Sequence, residues 1–115
     1  MGTAVEDQQL DALFTALSDR TRRDIVARLS AGEATVKELA EPYAMSMQAV
    51  SQHIRVLERS GLISQGRHRQ TRPCRLEPAA LEAAVSWIEE SRRTWSERMD
   101  RLATHLARLQ ERESQ

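Results

Sequence analysis

From Pro78 to about Leu109 the sequence contains no helix breaker. Leu81, Val85, Ile88, Arg92, Trp95, Met99, Leu102, Leu106 and Leu109 follow one another there in alternating steps of four and three. That is an unbroken heptad seam with a single arginine in it, and such a seam asks for a partner helix. A helix of ~30 residues spans about 45 Å, more than the remainder of a 115-residue chain can cover. The flanking positions Ala84, Ser91, Ser96, Ala103 and His105, among Glu82, Glu89 and Arg98, are mostly small rather than complementary in charge. Small flanks suit a broad bundle contact better than a lone two-stranded coil. The pattern predicts a dimerisation helix over residues 78–110, followed by a short tail at 111–115.

The rest of the chain must then fold around that helix as one domain. Hydrophobic residues make up 40% and charged residues 30%, the balance of a globular protein with a modest core. No apolar run is long enough to span a membrane, and the N-terminus lacks the charged start and apolar block of a signal peptide. The single cysteine, Cys74, cannot build an intrachain disulfide framework. A cytoplasmic protein is expected. Its net charge of zero conceals segregation: residues 1–19 carry four acids and no Lys or Arg, whereas 20–75 carry eleven Lys/Arg against five acids. Residues 46–75 alone hold six arginines, His53, His68 and one glutamate. A basic field confined to one segment of a neutral chain points to a polyanionic partner.

Along the chain, residues 1–7 read as a disordered N-terminus ahead of a single domain over 8–110. Leu10, Leu13, Phe14 and Leu17 recur at helical spacing and predict a first helix over about 8–18. These four residues are expected to join the last helix in the dimer bundle. Asp19 can cap a second helix whose buried side is Ile25, Val26 and Leu29, with Gly32 as its stop. Thr35 and Glu38 form a capping box opening a short third helix, which Pro42 ends. Ser46 then caps a fourth helix, residues 46–60, stopped by Gly61. Two short helices joined by a tight turn make a helix-turn-helix pattern. After Gly61 the period changes: LISQG and TRPCRL predict two strands of a β-hairpin over 62–76, with Pro73 marking an edge strand. The expected fold class is mainly α, with one β-hairpin.

Helix 46–60 has two unlike faces. Met47, Val50, Ile54 and Leu57 point to a core, while Gln48, Ser51, Gln52, Arg55 and Arg59 gather on the far side. Amide side chains pair with adenine, arginine with guanine, and serine with base or phosphate. A major groove admits one helix, read from its N-terminal end. Gln48, Ser51 and Gln52 are therefore candidate base readers, and Arg55 and Arg59 candidate phosphate contacts. A purely solvated face would more often carry Glu and Lys. The hairpin concentrates Arg67, His68, Arg69 and Arg72 around its tip, suited to phosphates or a minor groove; charge that protects an edge strand is the structural alternative. Single-stranded nucleic acid would call for stacking aromatics. Phe14, Tyr43, Trp87 and Trp95 all lie outside the basic 46–75 block, so duplex DNA is the expected partner.

Together, ALSDRTRRDIVARLS, TVKELAEPYAMSMQAVSQHIRVLERSGLI and RPCRLEP resemble the ArsR-type winged helix-turn-helix transcriptional regulators over roughly residues 10–78. The resemblance implies a winged helix-turn-helix homodimer, joined through its first and last helices, that binds an operator and usually represses. It places the DNA-reading positions on Met47, Gln48, Ser51 and Gln52, beside the wing arginines. The tail, with WIEESRRTW, resembles the branch without metal-site motifs. Three departures stand out: Arg20 where the family commonly has proline, a wing tip without glycine, and Ala40 and Pro42 where arsenic- and lead-sensing members place cysteines.

No metal or other cofactor is expected. His53, His68 and His105 show no close pairing, and a structural zinc site wants four convergent ligands. His53 sits toward Ala49 and Val56, away from the polar face, and a hydrogen-bonded structural role is expected for it. Cys74 beside Arg75 could carry a lowered pKa and sense oxidants, but it lacks a resolving partner, and a buried, inert thiol is the expectation. Trp87 and Trp95 read as bundle core rather than an effector pocket. Enzymatic chemistry finds no carboxylate pair and no Gly-rich phosphate loop. The rival to DNA binding is a helical dimerisation module that binds a protein.

Overall fold

The computed structural model describes residues 4–66 and 72–114. Helix α1 (Ala4–Leu17), α2 (Arg20–Leu29), strand β1 (Ala34–Thr35), α3 (Val36–Ala40), α4 (Met47–Arg59), β2 (Ile63–Gln65), β3 (Pro73–Leu76) and α5 (Pro78–Ser114) follow in that order. Residues 1–84 form one compact unit and 85–115 a second.

The helix boundaries within the first unit follow from local chemistry. Asp19 accepts a hydrogen bond from Arg22 N at 3.0 Å, a cap that stabilises a helix by about 1 kcal/mol. The capping box of α3 has both arms: Glu38 N donates to Thr35 Oγ1 at 3.1 Å and Thr35 N to Glu38 Oε1 at 3.0 Å. Ser46 caps α4 by accepting from Ala49 N at 3.1 Å. At the other end of α4, Gly61 takes φ +85°, the left-handed conformation that glycine adopts without penalty. Gly61 N donates to Glu58 O at 3.0 Å and Leu62 N to Leu57 O at 3.2 Å, the paired bonds of a Schellman stop. Leu57 and Leu62, the two side chains that flank this stop, are both fully buried.

Those stops aim the apolar faces at a shared centre. Val50, Ile54 and Leu57 of α4 are buried with Ile25, Val26 and Leu29 of α2 and Leu39 of α3. Leu13 and Ala16 of α1, Leu62 just after α4, Ile63 and Cys74 of the sheet, and Ala80 and Ala84 of α5 complete the same cluster. Fully burying one such Leu, Ile or Val contributes ~1.5–3 kcal/mol, so the inner face of α4 is tied firmly to the scaffold.

Several expectations need correction. α1 begins at Ala4 rather than near residue 8, and α5 continues to Ser114 rather than ending at 110 with a tail. Neither segment contains Pro or Gly to stop a helix. The sheet has three strands in the order β1-β3-β2, not two, because Ala34 and Thr35 pair with Cys74 and Pro73. β3 is thus central rather than an edge. Pro73 is tolerated there because it is the first residue of its strand, and its carbonyl still accepts from Gly66 N at 2.8 Å. Leu13, expected at the dimer interface, is fully buried and has no surface left for a second copy. Leu10, Phe14, Leu17 and Leu81 are half-buried against the core.

In the second unit every described residue from Val85 to Ser114 is exposed. Val85, Ile88, Trp95, Met99, Leu102, Leu106 and Leu109 keep about half of their surface accessible, and Trp95 as much as 62%.

Candidate nucleic-acid interface

α4 presents the side chains singled out in the sequence on one accessible face. Met47, Gln48, Gln52, Arg55 and Arg59 are exposed and Ser51 is half-buried, opposite the buried Val50, Ile54 and Leu57. Met47, which helical spacing places on the core side with Val50, is instead 50% exposed, because it stands at the first helical position, at the open end of α4. Arg55 Nη2 donates to Gln52 Oε1 at 2.6 Å. That bond orients the amide of Gln52, whose NH2 group remains available to donate to a base acceptor such as N7 or O4.

Of the wing residues, Arg72 is exposed, whereas Arg67, His68 and Arg69 lie outside the described residues. At the base of the wing Ser64 Oγ donates to Glu77 Oε1 at 2.5 Å, and Arg75 Nε stands 3.5 Å from the same carboxylate oxygen. Arg75 is thereby turned toward Glu77.

A network that no sequence pattern announces holds α4 in place. Arg22 Nε donates to Ala16 O at 2.7 Å and Nη2 to Thr15 O at 3.2 Å, satisfying carbonyls at the end of α1. Its Nη1 lies 3.1 Å from His53 Nδ1 on α4. A guanidinium has only donors to offer, so Nδ1 accepts and the imidazole proton belongs on Nε2. Asp19 Oδ2 stands 3.7 Å from the same Nδ1. The backbone N–H of Arg22 is the largest influence holding the Asp19 carboxyl below its ordinary value; burial opposes it, and the Arg22 charge assists. His53 thus has the hydrogen-bonded structural role expected of it. Through Arg22 it joins α1, α2 and α4 at one point.

Arg28 and Tyr43 fix the turn before α4. Arg28 donates to Leu39 O at 2.8 Å and Glu38 O at 3.0 Å, closing the end of α3. Its guanidinium also lies 5.6 Å from the centre of the Tyr43 ring, within cation–π reach. The Tyr43 hydroxyl donates to Asp24 Oδ2. Burial, then this bond, pushes the phenol above its usual pKa.

Cys74 is buried in the core, and burial first, then the Glu58 charge, pushes its thiol up to about 11. The nearby arginine does not produce the lowered pKa a sensor thiol needs. Among the described residues no three His, Cys, Asp or Glu side chains converge as metal ligands.

A three-helix core with an antiparallel sheet, and an accessible helix following a tight turn, define a winged helix-turn-helix protein. A family model described as a helix-turn-helix domain matches residues 17–65. The transcriptional repressor SdpR of Bacillus subtilis is 30% identical over 79 residues, 69% of this chain and 88% of that protein. The HTH-type transcriptional regulator Rv2034 of Mycobacterium tuberculosis is 41% identical over 73 residues, 64% of this chain and 68% of that one. A crystal structure of an ArsR family transcriptional regulator superposes with a TM-score of 0.76 at 38% identity, covering 84% of this chain and 97% of the other. The chain belongs to the ArsR family of helix-turn-helix transcriptional regulators.

Proposed function

We propose that this protein is a repressor that binds duplex DNA sequence-specifically as a homodimer, and that it performs no catalysis. The single observation that carries the reading is the two-faced α4: three buried aliphatic side chains lock one side, and amide, hydroxyl and guanidinium groups occupy the accessible one. Met47, Gln48, Ser51 and Gln52 meet base edges, where an exposed thioether suits a thymine methyl and the polar groups suit hydrogen-bonding atoms. Arg55 and Arg59 meet phosphates, and the wing, with Arg67, His68, Arg69 and Arg72, lies along the backbone.

The seam Val85, Ile88, Trp95, Met99, Leu102, Leu106 and Leu109 forms the dimer contact, joined by the half-buried Leu10, Phe14, Leu17 and Leu81. An exposed apolar stripe of this length is an interaction surface rather than a solvent face. A two-fold dimer requires an inverted-repeat operator with half-sites about 34–36 Å apart or a multiple of that spacing. The place of action is the cytoplasm, where the duplex is; among the described residues no helix is long and apolar enough to cross a membrane.

Footprinting on the duplex upstream of the protein's own coding sequence, followed by a salt titration, tests this. The expected outcome is a protected inverted repeat whose affinity falls steeply as salt rises. Equal affinity for a scrambled duplex, or a flat salt response, would leave the protein-interaction module as the better reading.

A further inference from the structure

The basic surface does not end with α4 and the wing. Arg20, Thr21, Arg23, Asp24 and Tyr43 line an open cleft of about 560 Å³ between the first turn of α2 and the turn that precedes α4. Arg20 and Arg23 are exposed. Arg23 has one arm on Leu17 O at 2.9 Å, whereas the Arg20 guanidinium has no partner among the described residues. Two acids stand nearby and both are engaged: Asp24 accepts the Tyr43 hydroxyl, and Asp19 accepts Arg22 N and faces His53.

Position gives this cleft its meaning. Asp19, the residue before Arg20, lies 3.7 Å from His53 Nδ1, and Arg22, two residues after it, lies 3.1 Å from the same nitrogen. The start of α2 is therefore pinned against the flank of α4. Tyr43, on the opposite wall, precedes the α4 cap Ser46 by three residues. The cleft thus opens beside the turn that leads into the N-terminal end of α4, the end that meets base edges when a helix of this type enters a groove. The strand that borders the groove there presents phosphates.

We infer that this cleft is a second backbone clamp, in which the Arg20 guanidinium holds a DNA phosphate beside the groove α4 enters, with Arg23 and the Thr21 side chain lining its seat. The inference rests on the DNA-binding reading above and adds a contact outside both the recognition helix and the wing. A guanidinium fits a phosphodiester bidentately, and a contact of this kind positions the protein without reading sequence.

The test compares wild type, Arg20→Gln and Arg20→Lys, each as the full chain, on a mixed-sequence duplex and on the footprinted operator. Fluorescence anisotropy is followed from 50 to 200 mM KCl. One phosphate contact contributes about 0.9 to the slope of log affinity against log salt. A dimer carries Arg20 twice, so wild type is expected to lose about 12-fold more affinity than Arg20→Gln across that range, and Arg20→Lys to recover most of the slope. The ratio of operator to mixed-sequence affinity should be unchanged in both variants. Identical slopes for wild type and Arg20→Gln would overturn the clamp while leaving the DNA-binding reading intact, as would a variant that altered base preference alone. Absence of salt-dependent binding by the wild type would overturn both. Thermal melting by circular dichroism confirms that an exposed substitution has left the fold in place.

Discussion

Replacing Leu102 by alanine isolates the contribution of the α5 seam to association. Leu102 is 48% exposed in a single chain, so its protomer core does not depend on it. Fully burying a leucine contributes ~1.5–3 kcal/mol, and covering the exposed half therefore contributes about 1 kcal/mol. Two-fold symmetry presents each residue twice, which doubles the effect to about 2 kcal/mol per dimer, assuming both copies are covered. Leu102→Ala should accordingly raise the dimer dissociation constant by roughly 30-fold. Sedimentation equilibrium over a dilution series reads that constant directly, and melting at a concentration where both proteins are dimeric separates association from folding. The coupled readout is DNA binding: at concentrations where the variant is monomeric, a duplex holding both half-sites should lose its advantage over a duplex holding one. A dissociation constant unchanged by the substitution, or a wild-type protein that stays monomeric, would refute the assignment of the seam.

Other outcomes follow from particular side chains. Gly61→Ala meets no atom within 4 Å, so only its φ of +85° opposes the change; a left-handed alanine costs ~1–2 kcal/mol, visible as a lower Tm with DNA affinity per folded molecule unaltered. Cys74 should react with a thiol reagent at pH 8 only as the protein opens, and rapid labelling of native protein would contradict its burial. Because folding raises that thiol from 9.0 to about 11, its contribution to stability is fully present below pH 9 and is lost as pH rises toward 11, which denaturant melts across that window would detect. Gln52→Ala should relax base preference at one operator position, with a discrimination loss of about 1–3 kcal/mol. If a selection from randomised duplexes returned the wild-type site unchanged, Gln52 would not be a reader.

Local chemistry written in the sequence determined where the helices start and stop. Asp19, Thr35 with Glu38, Ser46 and Gly61 act within three or four residues of themselves, so spacing alone exposes them. The same holds for the two faces of α4 and for the seam of α5, which are matters of helical period. What depended on the folded chain is of longer range. β1 has no sequence signature because two residues show no period; Ala34 and Thr35 become a strand only because Cys74 and Pro73 arrive beside them. Leu13 shares its spacing with Leu10, Phe14 and Leu17, and only packing shows that it is used up inside the protomer. The Arg22–His53 contact joins residues 31 positions apart, and neither side chain has a local pattern that names the other. The same tertiary pinning brings Arg20 to the flank of α4. Sequence encodes contacts that the backbone makes with its near neighbours, whereas contacts between elements exist only once the core has set their distance and orientation.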